Sequence, residues 1–192
     1  MRRRFAGYDP ELRMISNLIT LFRTLLILPF FVLLVGQGTG WTPLALFLLI
    51  GALDIVDGKV ARHLGESSRL GAMLDLLGDR FLTLAAVSAL VISGLESILV
   101  SGALILLVAR DLAFATLSGA LPAGAEFRPS KLELPKIVLS FLGLGFLIAP
   151  AFAMLPEWTS HDAGGLVVMG AAVLAIGTIA NYGFQLRNTL VH

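Results

Sequence analysis

Four aspartates stand in two neighbouring apolar stretches of the sequence. Asp54 and Asp57 are three residues apart, and Asp75 and Asp79 are four residues apart, so each pair projects from one face of a helix. A charged side chain in the membrane interior costs about 2.5 to 3.5 kcal/mol on insertion scales, and four carboxylates at one depth also repel one another. Bound cations would compensate both costs, and an all-oxygen site suits hard divalent ions such as Mg2+, Mn2+ or Ca2+. The four aspartates therefore predict a metal site.

Small residues and one arginine accompany the aspartates. Gly58 and Ala61 follow the first pair, and Gly71 and Gly78 stand around the second. Side chains this small let the backbone or phosphates of a ligand approach closely. Arg62 lies one turn beyond Gly58 on the aspartate face, where a guanidinium suits a diphosphate better than it suits lipid. The group favours a phosphorylated ligand beside the metal site.

Other interpretations of the aspartates need no such ligand. Asp75 or Asp79 could form an interhelical salt bridge with Arg62 or Arg80, although four aspartates outnumber the nearby cations. Intramembrane carboxylates also form cation and proton pathways in transporters, which do not require Gly and Ala beside them. A non-catalytic membrane scaffold would tolerate replacement of all four aspartates. An intramembrane cation or proton transporter is the main alternative to a metal-dependent enzyme.

The composition places the aspartates in a membrane. Of the 192 residues, 57% are hydrophobic and 14% are charged, and the mean hydropathy is +0.89, unlike a soluble domain. Stretches of roughly the 20 apolar residues that span a bilayer lie near residues 15–35, 42–62, 70–94, 97–119, 130–154 and 164–186. The sequence predicts an all-α integral membrane protein with six transmembrane helices, forming one domain over residues 1–192.

The basic residues predict the orientation of these helices. The connecting segments 36–40, 93–97 and 156–163 contain no Lys or Arg. The other side carries Arg2, Arg3, Arg4, Arg13, Arg62, Arg69, Arg128, Lys131 and Arg187. Because basic residues concentrate on the cytoplasmic side, both termini and the aspartates are expected there, in a membrane of the bacterial inner type. Residues 1–14 are expected as a cytoplasmic segment that forms an interfacial helix or serves only as a positive anchor.

Composition also excludes several classes of chemistry. The chain has no cysteine, so it has no disulfide, no thiolate metal site and no cysteine nucleophile. The net charge of +1 gives no indication of nucleic-acid binding, and none is expected. Oxygen ligands on the aspartates remain the basis for any metal chemistry.

The segment from Asp54 to Asp79 resembles the signature of the CDP-alcohol phosphatidyltransferase family. It reads Asp54-Ile-Val-Asp57-Gly58-Lys-Val-Ala61-Arg62, then eight residues, then Gly71-Ala-Met-Leu-Asp75-Leu-Leu-Gly-Asp79. Every defining position of the family motif is present at its spacing. The motif covers 26 residues, and the predicted six-helix organisation is also similar to that of the family.

The resemblance implies a homodimer whose active site opens to the cytoplasm and transfers the phosphatidyl group of CDP-diacylglycerol to an alcohol, releasing CMP. It implies that one or two Mg2+ or Mn2+ ions bind Asp54, Asp57, Asp75 and Asp79, and that Asp79 is also the base for the acceptor hydroxyl. Residues implied to contact the CDP-lipid are Asn17, Thr20, Gly58, Ala61, Arg62, Ser68 and Gly71. Ser68 departs from the common Thr but keeps a hydroxyl.

The acceptor alcohol is less narrowly indicated. Asn17-Leu-Ile-Thr20-Leu-Phe-Arg23 resembles the opening common in phosphatidylglycerophosphate synthases, whereas Asp75-Leu-Leu-Gly-Asp79-Arg80 looks more like phosphatidylinositol-type synthases. A small polyol or polyol phosphate is therefore expected as the acceptor, foremost glycerol 3-phosphate and inositol or inositol phosphate.

Three basic residues are candidates for binding an acceptor phosphate, namely Arg110, Arg128 and Lys131. Each also has a plainer interpretation, because Arg128 and Lys131 suit a cytoplasmic positive loop and Arg110 could simply pair with its neighbour Asp111. One further pair is expected nearby, since Glu133 and Lys136 are one helical turn apart.

Overall fold

The computed structural model describes the backbone of residues 10–63, 69–94, 96–120, 130–150 and 158–191, and the side chains within 21–56, 80–94, 96–116, 130–150, 162–185 and 187. All regular structure in these ranges is helical. The helices are α1 Pro10–Gln37, α2 Trp41–His63, α3 Arg69–Ser93, α4 Ile98–Ala120, α5 Glu133–Ile148 and α6 Trp158–Val191. The prediction of an all-α fold is confirmed for the described residues.

Helices α5 and α6 differ from the predicted ranges. We expected the fifth helix to continue to residue 154, but it ends at Ile148, and Ala149 has an extended backbone (φ −60°, ψ 143°). The physical reason is Pro150, which disfavours a helical conformation in the residue before it. The sixth helix begins at Trp158 rather than near 164, so part of the predicted loop 156–163 is helical. Residues 1–9 of the predicted interfacial segment lie outside the described residues, and Pro10 begins α1.

Contacts at one end of the bundle fix the direction of four helices. The Gly40 N–H, just before α2, donates to the carbonyl of Ile148 at the end of α5, at 3.0 Å. Near the start of α6, Gly164 lies against Leu147 of α5, and Gly165 lies against Val100 of α4. The starts of α2, α4 and α6 therefore meet the end of α5. The later parts of α2 and α4 and the start of α5 point toward the opposite end.

Aromatic and aliphatic side chains fill the middle of the bundle. Phe30 of α1, Phe47 of α2 and Phe141 of α5 form a row, with ring centroids 6.0 and 4.6 Å apart. Buried side chains of α3, α4 and α6 extend the same core, including Leu90, Leu104 and Val168. The row joins the motif helix α2 to α5, the helix that begins with Glu133.

The outer surface of the bundle is strongly apolar. Large side chains such as Ile98, Leu99, Leu134 and Leu166 are at least 70% exposed, which suits lipid and not water. Two helical segments in the described part of the chain are long and apolar enough to cross a membrane, Ile98–Thr116 and Asp162–Gln185. The apolar segments Leu21–Gln37, Trp41–Val56 and Arg80–Ser93 are shorter. The six-span topology accordingly stays a prediction.

Helices α5 and α6 approach each other closely at Gly143. A Cβ built on it would lie 2.6 Å from Val168 Cγ2 and 3.1 Å from the Val168 backbone nitrogen. We expect Gly143→Ala to lower the free energy of unfolding by about 1 to 3 kcal/mol, the usual cost of overpacking. Gly102→Ala is the control, because a Cβ there meets nothing within 4 Å. Thermal unfolding in detergent measures both, and equal midpoints would contradict the packing described here.

Candidate functional site

The four predicted metal ligands lie on two helices that both pack against α1. Asp54 and Asp57 belong to α2, and Asp75 and Asp79 belong to α3. The side chain of Asp54 is described, whereas those of the other three aspartates lie outside the described residues. The distances between the four carboxylates therefore stay a prediction. For Asp57, Asp75 and Asp79 the structure gives the helix on which each residue lies.

Asp54 forms a salt bridge with Arg23 of α1. The Arg23 side chain is 1% exposed and the Asp54 side chain is 32% exposed. A buried guanidinium beside a half-buried carboxylate offsets one of the four negative charges of the motif. Arg23 ends the segment Asn17-Leu-Ile-Thr20-Leu-Phe-Arg23, and its pairing with Asp54 was not predicted, because the two residues are 31 positions apart.

Arg80 directly follows Asp79 and is half-buried. Its Nη1 is buried, and no hydrogen-bond acceptor for it occurs among the residues whose side chains are described. The predicted alternative of a salt bridge from Arg80 to Asp75 or Asp79 concerns two carboxylates outside that set. It stays a prediction.

The donor set suits a hard divalent cation by its chemistry. Asp54 supplies a half-exposed carboxylate, and three more carboxylates stand on the same two helices. Oxygen ligands of this kind are those that Mg2+ and Mn2+ prefer. Within the side chains that are described, no three His, Cys, Asp or Glu residues come together as a metal site. The proposed site therefore depends on Asp57, Asp75 and Asp79 as well as Asp54.

A second polar cluster joins α4, α5 and α6. It contains two cations and two anions, and we call it the charge quartet: Arg110, Asp111, Glu133 and Lys136. Lys136 Nζ lies 2.6 Å from Asp111 Oδ1 and 3.4 Å from Glu133 Oε1. The side chains of Arg110 and Lys136 are only 3% and 2% exposed. The charges of the quartet cancel inside the bundle, as buried charges must if they are to be tolerated.

Arg110 is the most heavily bonded member of the quartet. Its Nη1 donates to Glu133 Oε1 at 2.9 Å and to Asp111 Oδ1 at 2.8 Å. Its Nη2 donates to Glu133 Oε2 at 2.5 Å, and its Nε donates to Thr178 Oγ1 at 3.0 Å. Glu133 thus binds the guanidinium through both carboxylate oxygens, the strong two-point geometry of an Arg–carboxylate pair.

Side chains of α4 and α6 close around the guanidinium. Arg110 Cζ lies 5.1 Å from the ring centroid of Phe114 and 5.5 Å from that of Tyr182. The Tyr182 hydroxyl donates to Glu133 Oε2 and accepts from the Ser130 N–H, both at 3.3 Å. Tyr182 therefore ties the segment before α5 to the quartet.

Some of the contacts predicted from the sequence occur in the quartet, and other predicted residues are not tested by the structure. The expected pairs Glu133–Lys136 and Arg110–Asp111 are both present. Thr178 and Tyr182 were missed, although their spacing of four residues puts both on one face of α6. Lys131 is exposed. The remaining predicted contact residues have no described side chain: Asn17, Thr20, Gly58, Ala61, Arg62, Ser68, Gly71 and Arg128.

The quartet and the motif aspartates lie at the same end of the bundle. Phe141 of α5 packs directly over Gly51 of α2, which sets a common level on two antiparallel helices. Six residues further along α2 is Asp57, and eight residues back along α5 is Glu133. At a rise of 1.5 Å per residue these positions lie about 9 and 12 Å from the common level, toward the same end.

The Arg23–Asp54 salt bridge predicts strong coupling between the two residues. We expect Arg23→Ala to destabilise the protein, because it leaves Asp54 beside a vacated buried site, and Asp54→Asn to recover part of that loss in the double mutant. Thermal unfolding of both single variants and the double variant gives the coupling energy, expected at about 1 kcal/mol or more. Arg187→Ala, at an exposed arginine of α6, is the control. Strictly additive effects would contradict the salt bridge.

A family model and several curated proteins match the sequence. The model for CDP-alcohol phosphatidyltransferase matches residues 13–178. A putative cardiolipin synthase of Mycobacterium tuberculosis strain H37Rv is 38% identical over 109 residues, which are 56% of this chain and 49% of the relative. A CDP-diacylglycerol–glycerol-3-phosphate 3-phosphatidyltransferase of Escherichia coli K12 is 41% identical over 75 residues, 38% of this chain and 41% of the relative. The alignments thus span half or less of these relatives.

Proposed function

Because the chain belongs to the CDP-alcohol phosphatidyltransferase family, we propose that it transfers the phosphatidyl group of CDP-diacylglycerol to an alcohol and releases CMP. The observation that carries this proposal is the complete aspartate motif from Asp54 to Asp79, which lies within the matched residues 13–178. The reaction belongs to phospholipid biosynthesis.

In the proposed reaction the acceptor oxygen attacks the phosphorus that is bonded to diacylglycerol. A new P–O bond to the acceptor forms, and the P–O bond to CMP breaks. Asp79 takes the proton of the acceptor hydroxyl and acts by proximity, since a carboxylate that also holds a metal is a weak base. When bound to the four aspartates, one or two Mg2+ or Mn2+ ions supply the positive charge that the diphosphate and the departing CMP require.

Residues around the aspartates are proposed to hold the CDP-lipid. Gly58, Ala61 and Gly71 give the diphosphate room beside the helix backbones. Arg62 and Ser68 offer charge and a hydroxyl to the same ligand. Asn17 and Thr20 of α1 complete the proposed CDP-lipid contacts.

Arg23 is a supporting residue in this proposal. It holds Asp54 from α1, so it limits the directions in which that carboxylate can point. Fixing a ligand from behind is how neighbouring side chains usually orient a metal site.

The acceptor is proposed to be a small polyol or polyol phosphate, with glycerol 3-phosphate and inositol or inositol phosphate as the first candidates. The name of the Escherichia coli relative specifies glycerol 3-phosphate, but that alignment covers 38% of this chain. Arg110, Arg128 and Lys131 are the proposed acceptor-binding residues. The enzyme is proposed to work as a homodimer in the bacterial inner membrane, with its termini and active site facing the cytoplasm.

Release of CMP tests the proposed function. Purified protein in detergent is given CDP-diacylglycerol and Mg2+ or Mn2+, and candidate alcohols are added one at a time. We expect CMP only when a suitable acceptor is present, and loss of the reaction when EDTA removes the metal. Silence with every acceptor in folded protein, together with cation or proton flux in vesicles, would overturn the proposal in favour of a transporter.

A further inference from the structure

The charge quartet bears on which acceptor the protein takes. A phosphate monoester carries up to two negative charges and is bound best by an arginine that presents two N–H groups to two of its oxygens. In the quartet Glu133 already takes the place of such a phosphate, because its two carboxylate oxygens accept hydrogen bonds from Nη1 and Nη2 of Arg110. The carboxylate stands where a phosphate would otherwise bind the same guanidinium.

We propose that Glu133 determines acceptor specificity by occupying Arg110. Of the acceptor candidates named above, this narrows the choice to an alcohol without a phosphate monoester and disfavours glycerol 3-phosphate and inositol phosphate. This inference rests on the proposed function, because it concerns the acceptor of that reaction. It places the quartet beside the acceptor and gives Glu133 a positioning role, distinct from the aspartates that hold the CDP-lipid.

Most N–H groups of Arg110 already donate hydrogen bonds within the protein. A guanidinium has five N–H bonds, and four of them have acceptors in the described residues: one on Thr178, one on Asp111 and two on Glu133. One N–H has no acceptor among the described residues, and it can serve a neutral hydroxyl but not the two oxygens of a phosphate. Arg110 would therefore offer an acceptor at most a single hydrogen bond, which differs from the phosphate-binding role predicted for it from the sequence.

Displacing Glu133 from Arg110 would be costly. Arg110 is one of three groups that hold Glu133 in place, since Lys136 and the Tyr182 hydroxyl also contact the Glu133 carboxylate. A phosphate that took Arg110 would leave a carboxylate inside the bundle facing added negative charge. Lys136 is also engaged within the quartet, because Asp111 Oδ1 lies 2.6 Å and Glu133 Oε1 lies 3.4 Å from its Nζ.

The position of the quartet fits a role beside the acceptor. Glu133 and Asp57 lie at similar heights on neighbouring helices, at the end of the bundle that carries the motif. An acceptor must reach the phosphorus held by the motif, so it approaches from this end.

The test compares acceptors with and without a phosphate monoester. CMP release is measured with glycerol 3-phosphate and inositol 1-phosphate, and with glycerol, inositol and phosphatidylglycerol, in the wild type and in Glu133→Gln. We expect the wild type to prefer acceptors without the monoester. Glu133→Gln should raise kcat/KM for phosphorylated acceptors relative to the others by roughly ten- to hundredfold, the value of one charge-assisted hydrogen bond, mainly through KM.

Three controls separate specificity from folding. Glu133→Asp keeps the charge and should keep the wild-type preference, while Asp162→Asn removes an exposed carboxylate near the start of α6 and should change nothing. Asp111→Asn removes the same charge but leaves Glu133 on Nη1 and Nη2 of Arg110, so it should also keep the wild-type preference. If Glu133→Gln does not fold, the acceptor preference of the wild type is the test. In the wild type, glycerol 3-phosphate should not inhibit turnover of the best acceptor.

The possible failures are distinguishable. A wild type that prefers phosphorylated acceptors, an unchanged preference in folded Glu133→Gln, or an equal shift in Asp111→Asn overturns the role of Glu133 and leaves the phosphatidyl transfer intact. Phosphorylated acceptors that depend on Lys131 or Arg128 would do the same, since the phosphate would then bind outside the quartet. Absence of CMP with every acceptor overturns the proposed function and this inference together.

Discussion

Replacing Asp57 with Asn is expected to abolish CMP release while the helical bundle stays folded. The amide has nearly the same size as the carboxylate but lacks the negative charge that a divalent cation needs. Loss of several kcal/mol of charge stabilisation corresponds to a fall in kcat of roughly 10³-fold. The measurement is CMP release from CDP-diacylglycerol at saturating Mg2+, with circular dichroism and size-exclusion chromatography as the test of folding.

Asp162→Asn is the matched control for this variant. It makes the same chemical change at an exposed position of α6, near the end of the bundle opposite the motif, and should leave the rate unchanged. Full transfer activity in both Asp57→Asn and Asp79→Asn would contradict the assignment of the aspartates. A fall in activity that accompanied unfolding would be corrected by testing the variants at lower temperature.

Removing Arg110 should destabilise the protein more than any other single truncation in the described polar clusters. Arg110→Ala leaves Asp111 and Glu133 with Lys136 as the remaining cation of the quartet and opens a space between Phe114 and Tyr182. Breaking a buried ion pair from one side costs about 3 to 5 kcal/mol. Thermal or denaturant unfolding in detergent should show this loss.

Two further variants identify the cause of that loss. Arg187→Ala removes an exposed arginine and should have little effect, because exposed charges contribute little. Arg110→Ala combined with Glu133→Ala removes one charge of each sign, so it should be more stable than Arg110→Ala alone. If the double variant is the less stable of the two, the unpaired charge is not the cause.

The helical fold follows from the sequence because its signals are local. Apolar stretches separated by Gly, Pro and polar residues predicted six helices, and six occur in the described ranges. The ends of helices were harder to predict where one residue decides them. Pro150 ends α5 earlier than the apolar stretch of the sequence suggests. Gly164, predicted near a loop, lies inside α6, where its small size permits close contact with Leu147 of α5.

The candidate site was predictable to the extent that it depends on spacing along one helix. The motif aspartates and the Glu133–Lys136 pair are three or four residues apart, so helical geometry places them together. The salt bridge from Arg23 to Asp54 joins different helices, as do the bonds from Arg110 to Glu133 and Thr178. Such contacts depend on helix packing, and no periodicity within a single segment reveals them.

The two polar clusters are proposed to act on different substrates of the reaction. The aspartates of α2 and α3 are proposed to hold the diphosphate of the donor, and the quartet on α4 and α5 is proposed to lie beside the acceptor. Helix α5 connects them, since Phe141 packs on Gly51 of α2 and Glu133 belongs to the quartet. Changes in the first cluster should therefore lower kcat, and changes in the second should alter KM for the acceptor.

The central claim is phosphatidyl transfer, and the fate of one phosphorus atom tests it most directly. CDP-diacylglycerol carrying 32P only in the phosphate bonded to diacylglycerol is incubated with the protein, Mg2+ and the best acceptor. If the protein transfers the phosphatidyl group, all transferred label appears in a lipid containing the acceptor, and one unlabelled CMP forms for each lipid. Label in phosphatidate regardless of acceptor, or no release of CMP by the folded protein, would contradict it.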